Sequence, residues 1–324
     1  MLSKKTISIL LKIGIVAFAL YFLFEQFNSR QSTSFRSLDI LDKINSNYIT
    51  IIVVIFMMFM NWFLEALKWK FLINKIEEIS IMTSIRAVFS GITVSTFTPN
   101  RIGEYAGRVF CLEKGDRIKA VLITIIGSMS QLFNTIFFGF IGFIFLPNFI
   151  VEASQFFIGY KYLYLLFIVI IILLNILLLV LFLNTKYLSI LFYKINWLKK
   201  YHEYIAVFSL YSKLDLLKIL LISFFRYFIF TLQFYILLKL FDVEVTYLNA
   251  IVLIMCMLFI VSLIPTIAIT EIGVRGSVAI FLFGLISTNT TGIITATFLL
   301  WIINLLIPAL LGTFFIFTLK FFRK

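Results

Sequence analysis

Two short stretches place acidic and basic residues in the middle of sequence that is otherwise apolar. The first, Val88 to Arg108, reads VFSGITVSTFTPNRIGEYAGR, and the second, Val261 to Ala279, reads VSLIPTIAITEIGVRGSVA. Arg101, Glu104 and Arg108 follow Pro99 in the first; Glu271 and Arg275 follow Pro265 in the second. A guanidinium group presents a planar fork of donors that suits phosphate or carboxylate, and the amide end of the half-helix after Pro99 adds a positive dipole. Carboxylates among the arginines can position them, take up a proton or pair with a cationic headgroup. The five Asp (Asp39, Asp42, Asp116, Asp215 and Asp242) and the single histidine, His202, fall in loops between the apolar segments. Of ten Glu, only Glu104 and Glu271 lie clearly inside apolar elements and away from their ends. A charge at a bilayer centre costs at least ~2.5 to 3.5 kcal/mol on insertion scales, so this placement points to function. The expected site is Arg101, Arg108 and Arg275 as ligands of an anionic headgroup, with Glu104 and Glu271 as their partners and Arg226 lining the same cavity. The spacing also supports a purely structural alternative. Glu104 and Arg108 stand four residues apart, as do Glu271 and Arg275, so each pair can neutralise itself on one helical face. Arg226, for its part, can instead snorkel to the interface.

The elements that must position these residues are membrane helices. At 62% hydrophobic, 13% charged and a mean hydropathy of +1.09, a chain of 324 residues cannot hide its apolar surface in a water-soluble globule. It reads as an all-α, polytopic integral membrane protein. Six spans are expected: the basic head and apolar run reaching about Phe27, then Tyr48 to Leu67, Ala120 to Leu146, Tyr162 to Leu183, Ile219 to Phe241, and Ile293 to Leu319. The first is too long for a typical signal core and lacks a small-x-small cleavage pattern after it. Glu65, Lys68, Trp69 and Lys70 read as an interfacial anchor cluster at the end of the second span. Lys186 to Lys218, rich in lysine with Trp197 and Tyr201, reads as a helix lying along the headgroups.

The apolar piece Ile85 to Thr98 is too short to cross, at ~21 Å of helix against a core of ~30 Å. Pro99 lacks an amide donor and Asn100 is a turn former, so residues 85 to 113 are expected to double back as a re-entrant hairpin. The run Gly103 to Gly107 then allows close packing of its two arms. The second interrupted element, about Tyr247 to Leu285, is read in the same way, with Pro265 and Gly273 at its turn. The alternative is two true spans there, for eight in all.

Charge settles orientation. With a cytoplasmic N-terminus, 19 of the 28 Lys and Arg fall in cytoplasmic segments, and only Arg30, Arg36, Lys43 and Lys161 fall outside. The positive-inside rule thus favours cytoplasmic ends, and topology with anionic lipid attraction accounts for the net charge of +13 without nucleic acid. The two hairpins then enter from opposite sides, which makes the halves, about 1 to 150 and 160 to 324, inverted copies of one plan. Inverted repeats with discontinuous helices are a recurring design for alternating access. Gln131, Asn134 and Asn304 occupy similar depths in the two halves and are expected to form interhelical hydrogen bonds. Cys111 and Cys256 lie in or beside apolar segments, which argues against a disulfide or a thiolate metal site.

The run of Pro99, Gly103, Glu104 and Arg108, with a Pro and Gly motif repeated late in the chain, resembles the transmembrane region of lysylphosphatidylglycerol synthases and their stand-alone, flippase-like relatives. The likeness covers most of the chain. Its second motif departs, because Gly276 stands three residues after Gly273 where the family carries Glu, and the acid here is Glu271. The resemblance implies translocation of a lipid or lipid-linked substrate in the cytoplasmic membrane. The synthases also carry a soluble aminoacyl-transferase domain after the membrane part, which this sequence is not expected to contain, so no synthase activity is inherited. The leading function is flipping of an anionic amphiphile such as a phospholipid, glycolipid or polyprenyl-phosphate-linked lipid. An intramembrane lipid-modifying enzyme and a non-transporting scaffold of an envelope-assembly complex are the alternatives. No catalytic residue, cofactor or metal is expected, and the expected partners are membrane lipids.

Overall fold

The computed structural model describes residues 37–150, 160–185, 202–265 and 268–317. The expected first span, residues 186–201 of the Lys186 to Lys218 segment and the tail beyond 317 lie outside the described residues. Within them the chain is all helical, without a strand: α1 (Ser37–Ser46), α2 (Tyr48–Ile73), α3 (Ile81–Ser95), α4 (Gly103–Val109), α5 (Arg117–Phe145), α6 (Lys161–Leu183), α7 (Lys213–Leu240), α8 (Tyr247–Leu263), α9 (Ala268–Phe283) and α10 (Thr290–Ile316). Five of these, α2, α5, α6, α7 and α10, are long and apolar enough to cross a membrane. They coincide with the second to sixth expected spans, and the protein is a multi-pass membrane protein.

Local sequence explains where the helices begin and end. Ser80 caps α3 by accepting from the Thr83 amide at 3.0 Å, and Ser212 forms a reciprocal capping box with Asp215 at the start of α7. Before Pro265 the backbone of Ile264 turns extended (φ −97°, ψ 113°), as steric conflict with a following proline ring requires, and α8 ends there. The last span is irregular inside. Residues Ile302–Leu306 form a π-turn just ahead of Pro308, whose missing amide cannot continue the ordinary helical ladder.

The helices gather into two compact units: Met1–Ile125 with Pro265–Gly273 and Phe298–Lys324, and Ile126–Ile264 with Val274–Thr297. In the first, hydroxyls bond carbonyls on neighbouring helices: Ser84 Oγ donates to Ala66 O at 2.5 Å, and Thr93 Oγ1 donates to Ala309 O at 2.7 Å. Trp69 Nε1 donates to Thr124 Oγ1 at 3.1 Å, and Phe89 packs its ring between Trp62 and Phe315. In the second, Ser130 and Ser223 hydroxyls meet at 2.7 Å, and Asn134 Nδ2 donates to Leu220 O at 3.2 Å. These bonds satisfy polar groups that hydrocarbon would otherwise strand. Gly139 and Gly142 of α5 let α8 approach so closely that a Cβ at Gly142 would stand 2.9 Å from Cys256 Sγ.

The first interrupted stretch is a hairpin. α3 has 15 residues, ~22 Å of rise, and hydroxyls of Ser95 and Thr96 bond back to Ile92 O and Thr93 O at 2.7 Å as it ends. A 3-10 turn over Pro99–Arg101 follows, with Asn100 (φ 49°) and Arg101 (φ 57°) both left-handed. α4 then returns antiparallel to α3. A Cβ on Gly103 would meet Val94 O at 2.5 Å, and one on Gly107 would meet Gly91 Cα at 2.6 Å, so the later residue of α4 faces the earlier residue of α3.

The second interrupted stretch differs. Pro265 stands in the break, but Gly273 does not mark a turn; it lies inside α9, which has 16 residues. Proline alone ends α8, by its lost amide and its effect on Ile264, so no glycine turn is required. At 17 and 16 residues, α8 and α9 each fall short of the ~20 residues of an ordinary span.

Candidate functional site

The turn after α3 fixes three of the expected side chains at once. Arg101 is one of its two left-handed residues, and Glu104 and Arg108 lie one helical turn apart on α4. Arg108 is 3% exposed, and each end of its guanidinium finds a carboxylate: Nη1 donates to Glu65 Oε1 at 2.8 Å and Nη2 donates to Glu104 Oε1. Glu65 belongs to α2, and its other oxygen receives Lys68 Nζ at 2.8 Å. Lys68 is itself 1% exposed, a burial that an ammonium group tolerates only when it is paired. Arg101 Nη2 donates to both oxygens of Glu271 on α9, at 3.0 and 2.9 Å. Glu104 lies within electrostatic reach of Arg101 as well as bonded to Arg108.

The result is a row of alternating sign: Lys68, Glu65, Arg108, Glu104, Arg101, Glu271. Its Lys68 end is closed off from the surroundings, whereas the side chains of Glu104 (21% exposed) and Arg101 (36% exposed) reach the surface. Three cations and three carboxylates balance, which is how a protein can hold six ionisable groups in an apolar surround. A row of this kind can exchange partners.

Arg275 and Arg226 belong to the second unit. The Arg275 guanidinium carbon lies 5.8 Å from the centre of the Phe230 ring, a cation–π contact, and the acid assigned to it by spacing, Glu271, is bonded by Arg101 from 170 positions away. Arg226 on α7 donates to Gln131 Oε1 on α5 at 3.2 Å, within the second unit. Asn134 does bridge helices, while Asn304 Nδ2 bonds Leu300 O within its own helix. Pro99 opens the 3-10 turn, and Gly103 starts α4, its amide donating to Thr98 Oγ1 at 2.8 Å.

Glu65 and Lys68 are the members that sequence reasoning passed over. Their place at the end of a span beside Trp69 and Lys70 made them look like an interfacial anchor, although both are buried. The one available signal was their spacing of three on the apolar face of α2, which pairs them with each other. Among the described residues no group of three or more His, Cys, Asp or Glu is placed to hold a metal ion, and Cys111 and Cys256 are free thiols.

Comparison with known proteins gives one match. The family model described as Lysylphosphatidylglycerol synthase TM region matches residues 9–312. No curated protein and no solved structure matches the chain.

Proposed function

The chain belongs to the lysylphosphatidylglycerol synthase transmembrane-region family, and from that premise we propose that it moves a lipid with an anionic headgroup between the leaflets of the cytoplasmic membrane. The observation that carries the reading is the alternating row of charges at a hairpin too short to span, buried at Lys68 and at Glu271 and reaching the surface between them at Glu104 and Arg101. A static counter-ion cluster has no need of exposed members. Arg101 meets the headgroup first, exchanging Glu271 for phosphate, and Arg108 receives it next. Inverted halves supply alternating access. Both ends of the chain are cytoplasmic in this account, and the lipid crosses without chemical change.

The test is a reconstituted flipping assay. Purified protein in proteoliposomes should accelerate loss of a fluorescent phosphatidylglycerol from the inner leaflet to a membrane-impermeant quencher, and Arg101→Gln should remove most of that acceleration. A wild-type rate equal to that of empty liposomes, with phosphatidylglycerol and with lipid-linked phosphates alike, refutes the reading. Orientation is checked separately in a cysteine-free background. A cysteine at Thr290 should label from outside intact cells and one at Ser212 should not; labelling at Ser212 contradicts the proposed topology.

A further inference from the structure

Lys68, Glu65 and Arg108 are each at most 5% exposed. Two cations against one carboxylate leave this buried triad with one net positive charge, and the more accessible Glu104 balances it. Without the charge of Lys68, Glu65 and Arg108 would cancel each other. Arg108 would then have no electrostatic reason to hold a second anion. The bonding of the guanidinium carries the same message. Nη1 is committed to Glu65, which forms the buried side of the cluster. Nε and Nη2 share the opposite edge of the guanidinium plane; Glu104 takes Nη2, and Nε is buried with no hydrogen-bond partner. Half of one bidentate edge is therefore unused, and it is the edge on the side of the exposed acid.

We propose that Lys68 makes Arg108 an anion seat: by taking up the charge of Glu65 it leaves Arg108 with one positive charge to offer, and Glu104 occupies that seat until a lipid phosphate replaces it on Nε and Nη2. Lys68 is thus a specificity-determining residue that never touches the substrate. The inference rests on the headgroup reading above and adds to it which buried residue sets the affinity. It also separates the two carboxylates of Arg108. Glu65 is the fixed partner, locked by Lys68 on α2, and Glu104 is the exchangeable one, on a helix of seven residues next to a turn.

The charge parity of the seat gives the test. Full-length wild type, Lys68→Met, Lys68→Arg and the double variant Lys68→Met with Glu65→Gln are purified in detergent and titrated with dihexanoyl phosphatidic acid, the readout being the ligand-dependent rise in melting temperature, with dihexanoylglycerol as the uncharged control. Lys68→Met should weaken binding about tenfold or more, because the seat loses its net charge. Lys68→Arg should bind like wild type. The double variant should recover wild-type affinity, because Arg108 alone again carries one positive charge, and this recovery is not required of a lysine that only supports the fold. Should Lys68→Met be too unstable to purify, the double variant and Lys68→Arg decide the matter between them. Unchanged affinity in Lys68→Met, or a double variant that binds as weakly as a seat without charge, overturns the inference while leaving the headgroup reading in place. Absence of binding by wild type itself overturns both.

Discussion

The two interrupted segments begin alike in sequence and end as different structures. Each has an apolar helix stopped by a proline, then an acid and an arginine four residues apart. The first folds back on itself because three glycines, Gly91, Gly103 and Gly107, remove the side chains that would hold α3 and α4 apart, and because Asn100 and Arg101 accept left-handed conformations at the reversal. The second has no left-handed residue at its described positions, and Gly276 of α9 has nothing within 4 Å of where a Cβ would stand. Proline stops a helix; glycine at a contact decides whether the next one can lie against it. The ionisable residues follow suit. In the first segment Glu104 and Arg108 bond each other and Arg108 also reaches Glu65 of α2, while in the second Glu271 is bonded by Arg101 of the first segment and Arg275 lies over the Phe230 ring.

The sharpest way to break this contrast is at the charges. Arg108→Gln leaves Glu104 and the Lys68–Glu65 pair with one excess negative charge in a buried setting, and should destabilise the protein by about 3 to 5 kcal/mol in a detergent unfolding measurement. Arg101→Gln takes away a one-third-exposed guanidinium but leaves the buried Glu271 carboxylate without the donor to both its oxygens, and should cost about 1 to 3 kcal/mol, less than Arg108→Gln, while still reducing transport. Equal losses in the two variants would show that the exposed pair and the buried cluster are not different in kind.

The glycines give a smaller and more selective contrast. Gly107→Ala places a methyl group 2.6 Å from Gly91 Cα, where only backbone could yield, and should cost about 1 to 3 kcal/mol. Gly276→Ala fills open space inside a helix and should stabilise by about 0.5 to 1 kcal/mol. A tolerated Gly107→Ala would mean that the arms of the first hairpin are not held by close backbone contact.

Sequence alone carried the coarse architecture a long way. The apolar runs located five spans to within a few residues at most ends, and the short run before Pro99 with Asn100 after it revealed the reversal, because length and proline chemistry are local properties. What escaped was tertiary. Arg101 meets Glu271 across 170 positions and Arg108 meets Glu65 across 43, whereas reasoning from i and i+4 spacing could reach only partners on one helix. Glu65 and Lys68 were hidden by their neighbours, since a charge beside Trp69 and Lys70 looks the same in sequence whether it faces the interface or the core. The π-turn at Ile302–Leu306 had one local sign, Pro308, which marks irregularity without saying of what kind.

The central claim, that the Arg108 cluster binds substrate and is more than a set of neutralised charges, is tested most directly by the double variant Glu104→Gln with Arg108→Gln, measured for both thermal stability and lipid flipping. The variant leaves Lys68 and Glu65 paired with each other, so its buried charges balance and much of the stability lost in Arg108→Gln should return. Flipping should remain lost, because no guanidinium is left on α4 to receive the phosphate. A double variant that regains stability and flips lipid at the wild-type rate contradicts the account.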